Sequence, residues 1–375
     1  MLKGIREPMK RAVLNRFILF LTIFLLTGWF AQTGWAAESQ AEKDSMGVEK
    51  KFNAGEFVME HVSDAFEWHV ATFGETNISV PLPIILYSKN SGWHFFWSSK
   101  FHHGTKVYKN FKIAHGGDQD GKIVELNDQG KVSGLPVDLS ITKAVAGIFI
   151  SVIILLSIFL SVARSARKNA GKAPRGLQNL MEPVILFVRD EVAKPAIGEK
   201  RFEKYMPFLL SLFFFILLNN LMGLIPIFPF GANVTGNIAV TMVLALFTFV
   251  ITTFSANKYY WKEIYNPDVP WWLKFPIPLM PIVELTGVFT KPFVLMVRLF
   301  ANMMAGHMII TVFVSLIFVF AQLMGISAGV GVSVVSVLFS IFMTMLDVLV
   351  AFIQAYVFTL LSALYFGMAT EEHHL

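Results

Sequence analysis

Between residues 281 and 368 the only acidic or basic side chains are Glu284, Lys291, Arg298, His307 and Asp347, set in otherwise uncharged sequence. Arg298 lies among Met296, Val297, Leu299 and Phe300, and a guanidinium keeps its charge in any protein setting. At a membrane-helix centre that charge costs about 2.5 to 3.5 kcal/mol on the mildest insertion scale, so it marks a function such as an ion path. Glu284, Lys291 and Arg298 recur at intervals of seven, which keeps them on one slowly drifting helical stripe. Asn302 stands one turn beyond Arg298 on nearly the same face. His307 and Asp347 add an imidazole and a carboxylate, the two groups best suited to take up and release protons.

These residues sit on two apolar runs of about forty residues, divided by GISAGVG at 325–331. At 1.5 Å per residue such a helix extends roughly 60 Å, twice a bilayer core, so both must be tilted or bent. Treated as an antiparallel hairpin turning near Ser327 or Ala328, residues at one depth have numbers totalling about 654. His307 and Asp347 total 654, and Arg298 and Gln354 total 652. Each polar residue of one arm therefore meets a polar residue of the other at its own depth. One polar group lies beyond Arg298 toward the turn and another, with Glu284, lies before it; Ala301, Ala305 and Gly306 leave space for another backbone to approach. The pattern is that of two offset aqueous inlets separated by a fixed positive charge.

The rest of the chain places this hairpin in a membrane. Of 375 residues 55% are hydrophobic and 15% charged, with 37 Phe, which is outside the range of soluble domains. Residues 144–163, 207–225 and 237–256 are uncharged runs long enough to cross about 30 Å of hydrocarbon. Residues 164–204 carry ten Lys and Arg and 228–236 carry none, which assigns the former to the cytoplasm and the latter to the exterior. Within the basic loop, LQNLMEPVILFVRDEVAK clusters Leu180, Met181, Val184, Ile185, Phe187 and Val188, as in a helix lying at the membrane surface. The expected fold is an all-α polytopic membrane protein: three upright transmembrane helices, one amphipathic surface helix and a long tilted two-helix hairpin.

A different composition precedes it. Residues 1–37 combine a basic start, an apolar run from Phe17 to Phe30 and the small residues Gly34, Ala36 and Ala37, the pattern of a signal peptide or N-terminal anchor. Residues 38–137 read as a small exported region of α+β or irregular character, beginning with a helix near 57–71. Six of the nine histidines fall there, at 61, 69, 94, 102, 103 and 115, with spacings that match no metal motif. The membrane domain then occupies 138–375. No cysteine occurs, so disulfides and thiolate chemistry are excluded; nothing resembles a phosphate loop or a nucleophile with its base. The expectation is a chain that is not catalytic by itself, has no cofactor and binds no nucleic acid.

At NLMGLIP (220–226), NVTGNIAVTMVLAL (233–246), ELTGVFTKPFVLMVRLFANMMAGH (284–307), FIQAYVFTLLSALY (352–365) and MATEEHH (368–374), the sequence resembles the a subunit of F-type ATP synthases. The resemblance implies a proton-translocating stator in a bacterial inner membrane, with the C-terminus cytoplasmic. Arg298 then faces the essential carboxylates of a c-subunit ring, with Asn302 and Gln354 lining that contact, and His307, Asp347 and Glu284 serve the inlets. The implied partners are the c-ring, b-type peripheral stalk subunits, the soluble ATPase sector and the lipid bilayer. His307 stands where many relatives have an acid and Asp347 where they have histidine, a swap that keeps one of each. A secondary transporter or pump with a midplane arginine is the alternative; it predicts inverted repeats with broken helices, and the sequence has neither.

Overall fold

The computed structural model describes residue 55 and residues 64–371, except 74–75, 90, 103, 105, 115–118, 120, 128–130, 169–172, 226–229 and 266–278. The expected signal peptide lies outside the described residues, as do His61, His103 and His115. Five helices among them are long and apolar enough to cross a membrane. The chain divides into two compact units, Met1–Lys143 with Ile225–Gly231 and Ile309–Thr344, and Ala144–Leu224 with Ala232–Met308 and Met345–Leu375.

In the first unit, the region before the spans is built of strands. β1 (Glu67–Phe73) pairs with β2 (Thr76–Pro81). β3 (Pro83–Ser88) lies between β4 (Gly92–Trp97) and β8 (Val137–Asp138), and β6 (Ile123–Leu126) lies between β5 (Phe111–Ile113) and β7 (Val132–Gly134). The helix expected near 57–71 is corrected from Glu67 onward, where β1 begins; its earlier part is outside the described residues. EWHVATF is β-branched and aromatic and gains a partner strand, which outweighs any local helical period. The core between the two three-stranded sheets is Ile84, Leu86, Phe101, Phe111 and Ile123, with Phe96 set edge-on to Phe101 at 5.3 Å. Ser88 closes it from below by donating to Glu125 at 2.8 Å.

Four hydrogen bonds tie this region to the sequence flanking the spans. Strand pairing runs past β8: the amides of Leu139, Ile141 and Lys143 donate to the carbonyls of Ile85, Pro83 and Ala65. The buried Trp68 indole donates to the carbonyl of Phe230, at 3.2 Å, in the uncharged loop between two spans.

The second unit carries the shorter helices and the outer parts of the two long ones, whose residues 309–344 belong to the first unit. α1 is Lys143–Lys168, α3 Phe202–Gly223, α4 Ile238–Ser255 and α5 Lys258–Tyr265; α6 (Leu279–Met324) and α7 (Ile326–Thr370) form the long hairpin. α2 (Leu177–Phe187) runs on through a π-helical turn, Val188–Ala193, into a last α turn, Lys194–Ile197. The widened turn buries Val188, Val192 and Ala193 while Glu191 stays out. Hydrogen bonds from Arg189 and Lys194, at 2.9 and 2.8 Å, hold the Asp190 carboxyl far below the usual carboxylate range. The segment expected to lie on the membrane surface is thus a helix that packs into protein. Met181 and Val188 join Leu212, Phe213, Ile216, Leu295, Leu299 and Phe358 in one cluster, and Leu180 points outward at 67% exposure. Between spanning helices such contacts gain dispersion energy, since lipid tails are already apolar.

The hairpin turns at Gly325, two or three residues earlier than expected. Gly325 alone takes a left-handed φ, +91°, and the helix resumes at Ile326, so Ser327 and Ala328 are helical. Facing residues record the register. Ala321 meets Gly329, Phe313 stacks on Phe339 at 5.4 Å, and Gly306 meets Asp347, pairs whose numbers total 650 to 653. At the far end α7 is tied down: Asn257 donates to the carbonyls of Ala369 and Thr370 at 2.8 and 3.0 Å, and Arg201 donates to Thr370 as well. Those are the carbonyls a helix end otherwise leaves without partners.

Candidate functional site

On α6 Arg298 and Asn302 stand one turn apart, while Glu284 and Lys291, at the heptad positions before Arg298, are half-buried. Arg298 and Asn302 are both exposed, in a face that also presents Phe293, Val294, Val297, Ala301 and Ala305; α7 adds Leu346, Leu349 and Ile353. A permanent cation therefore stands on an apolar helical surface. Gln354 and Asp347, on α7, are buried at 7% and 8% exposure, so Gln354 does not share the open face of Arg298.

His307 and Asp347 come to one depth. A methyl group on Gly306, the neighbour of His307, would stand 2.9 and 3.1 Å from the two carboxylate oxygens of Asp347. The absent side chain is thus filled from within the chain, which corrects the expectation that Gly306 makes room for a foreign backbone. Ala301 and Ala305 do remain exposed. His307 lies over Gly223 at the end of α3: a methyl there would be 3.4 Å from its Nε2 and 3.5 Å from the carbonyl oxygen of Ala232.

Polar residues extend this patch, and sequence reasoning had not singled them out. Asn220, wholly buried, accepts from Thr235 at 2.6 Å and donates toward the carbonyl of Ala351 on α7 at 3.4 Å. Asn219 donates to Phe215 one turn back, and Asn233 accepts from the amide of Gly236. The buried Oδ2 of Asp347, the amide oxygen of Asn219 and the amide nitrogen of Asn233 have no hydrogen-bond partner among the described residues. Such atoms in a polar setting are where buried water binds. The signal that could have found the patch was two adjacent asparagines inside an uncharged 19-residue run.

On the other side of Arg298 the ring of Tyr365 meets a cation. Lys291 Nζ lies 5.9 Å from its centroid. A small open recess begins there, lined by Thr252, Thr253, Tyr260, Lys291 and Tyr365 together with the apolar Phe249, Val288, Pro292 and Met368. Tyr260 lies on α5; burial, and then the negative charge of Glu284, push its phenol above the ordinary range. Glu284 therefore belongs to the neighbourhood of this recess. The six residues singled out in sequence thus fall in different places: His307 and Asp347 at one depth of the hairpin, Glu284 by the recess, Arg298 and Asn302 on the open face, and Gln354 buried in α7.

Residues 145–367 match the family model "ATP synthase A chain", and 57–139 match a "Domain of unknown function (DUF8433)". The chain is 46% identical over 237 residues to ATP synthase subunit a 2 of Chlorobaculum tepidum, an alignment covering 63% of this chain and 64% of that one. With ATP synthase subunit a of Chloroherpeton thalassium it shares 45% identity over 245 residues, covering 63% and 69%. With that of an Anaeromyxobacter strain it shares 40% over 264 residues, covering 68% and 61%. The chain thus spans about two thirds of the curated relatives it matches. With more than half its length inside the family model, the chain belongs to the ATP synthase subunit a family.

Proposed function

We propose that this chain is the proton-translocating stator of the membrane sector of a rotary ATP synthase. It is not catalytic itself; a c-subunit ring, b-type stalk subunits and a soluble ATPase sector complete the machine. The observation that carries the reading is an exposed arginine on an apolar helical face, flanked along the membrane normal by a buried polar patch and by a small recess that Lys291, Tyr260 and Tyr365 help to line. The Trp68 bond to the uncharged loop at Phe230 supports an exported β region and a cytoplasmic C-terminus, hence a bacterial inner-membrane setting.

In this reading a proton enters from the exterior past Asn220 and Thr235 to the His307 and Asp347 pair and neutralises a ring carboxylate, which then turns into lipid. After nearly a full revolution the site meets the recess near Tyr260, Glu284 and Lys291 and releases its proton. Arg298 favours the ionised form of each arriving carboxylate and repels a proton that would pass directly between inlets. Each charge crossing the membrane supplies about 2.3 kcal/mol per 100 mV, delivered as torque.

The test is Arg298→Ala and Arg298→Lys in the assembled complex, in membrane vesicles. Both should abolish proton-driven ATP synthesis with subunit content unchanged; the ammonium lacks the planar fork and can lose its proton when desolvated. Normal coupled synthesis in either variant overturns the proposal.

A further inference from the structure

The three-stranded sheet β4-β3-β8 has two unlike faces. Inward, Ile84, Leu86 and Phe96 serve the core of the β region. Outward, strict alternation presents Trp93, Phe95 and Trp97 at 56%, 65% and 56% exposure, beside Pro83, Ile85 and Tyr87 of β3 and Val137 of β8. Tyr87 packs against Trp93 at 5.1 Å, and Trp93 stacks on Phe95 at 6.1 Å, so the rings form one preorganised slab. An exposed sheet face is ordinarily polar, and this one carries no charge.

We propose that this aromatic face lies on the lipid interface of the membrane that α1 enters. The proposal rests on α1 being a span. Three observations select lipid as the occupant. The sheet runs into the span without slack: Ile141 still pairs with Pro83, the partner of Trp97, and α1 begins at Lys143. Two residues of extended chain reach only about 7 Å, which holds the Trp97 end of the slab close to the point where α1 enters. The Trp68 indole also donates to the carbonyl of Phe230, in the uncharged stretch 228–236 that composition assigns to the exterior. Finally, the composition is that of an interfacial anchor, with Trp, Tyr and Phe in the slab and exposed lysines, Lys89 and Lys100, at its rim, where phosphates of lipid headgroups would meet them.

The chain has no cysteine, so single replacements are read against a clean background. The full chain carrying Trp93→Cys, Phe95→Cys, Trp97→Cys or Leu139→Cys, labelled with bimane and reconstituted in phosphatidylcholine and phosphatidylglycerol vesicles, is quenched with headgroup-proximal nitroxide lipids. Lys122→Cys and Lys131→Cys, exposed near the other sheet, are the surface controls; Ile153→Cys, exposed at mid-span in α1, is the membrane control. The slab positions should be quenched several-fold more than Lys122→Cys and Lys131→Cys, and be slow to react with an impermeant maleimide. Quenching no greater than at the two lysine positions overturns the proposal. So does protection from maleimide without quenching, which would identify a protein as the cover. Failure of deep nitroxides to quench Ile153→Cys overturns the reading of α1 as a span instead. Four independent positions keep the test decisive if one replacement fails to fold.

Discussion

The carboxylate of Asp347 rests against the α-carbon of Gly306, so that a methyl group placed there would stand 2.9 Å from one of its oxygens. Real Cβ atoms do not approach so closely, and the neighbour that must yield is the free end of a side chain. Gly306→Ala should therefore swing the carboxylate aside without unfolding the hairpin. ATP-driven proton pumping in vesicles should fall on the order of tenfold, the rate equivalent of about 1.4 kcal/mol, with assembly unchanged. Wild-type pumping would show that the carboxylate's seat is irrelevant.

His307 and Asp347 supply one imidazole and one carboxylate at a common depth. The exchange His307→Asp with Asp347→His should retain more proton-driven synthesis than either single replacement, because only the exchange keeps both chemistries. A double-mutant cycle measures this directly, with a coupling of about 0.5 to 3 kcal/mol expected for residues sharing one network. Strictly additive losses would separate the two residues functionally.

The hairpin register can be checked apart from function. Phe313 and Phe339 stack at 5.4 Å. A Phe313→Cys, Phe339→Cys pair should be joined by a short bifunctional linker, whereas Phe313→Cys with Leu349→Cys, ten residues off register and roughly 15 Å along the axis, should not. Equal yields would mean the arms slide or pair otherwise.

Two glycines of the hairpin predict opposite signs. A methyl on Gly367 would collide with the backbone carbonyl of Ala196, which cannot rotate away, so Gly367→Ala should lower stability by about 1 to 3 kcal/mol. Gly287, inside α6 near its start, has nothing within 4 Å, and Gly287→Ala should raise stability by up to about 1 kcal/mol through helix propensity. Thermal unfolding of the purified variants in one detergent distinguishes them.

The spans were legible because length and charge alone decide them: the runs at 144–163, 207–225 and 237–256 became α1, α3 and α4 with ends moved by a few residues. Depth matching of His307 with Asp347 was legible for a similar reason, since rise per residue is constant along both arms. What stayed hidden depended on rotation and partnership. That Gln354 is buried while Arg298 is exposed follows from how α7 turns against its neighbours, which no spacing records. Asn219 and Asn220 looked like interruptions of a span until Thr235 and the Ala351 carbonyl came alongside. Gly306 read as a gap for a partner because the carboxylate that fills it lies forty residues away in sequence. The β region was least legible: Trp93, Phe95 and Trp97 alternate as a strand does, yet with aromatic residues outward there is no polar face to reveal the period.

A turn made of a single glycine leaves the hairpin no slack. One residue inserted into either arm between Gly325 and the Gly306 to Asp347 contact rotates everything beyond it by about 100° and carries it about 1.5 Å along the axis. Asp347 would then swing off its glycine and Arg298 would leave its face, since the turn has no spare residue to absorb the error. Natural variation in length should therefore be purged from this stretch.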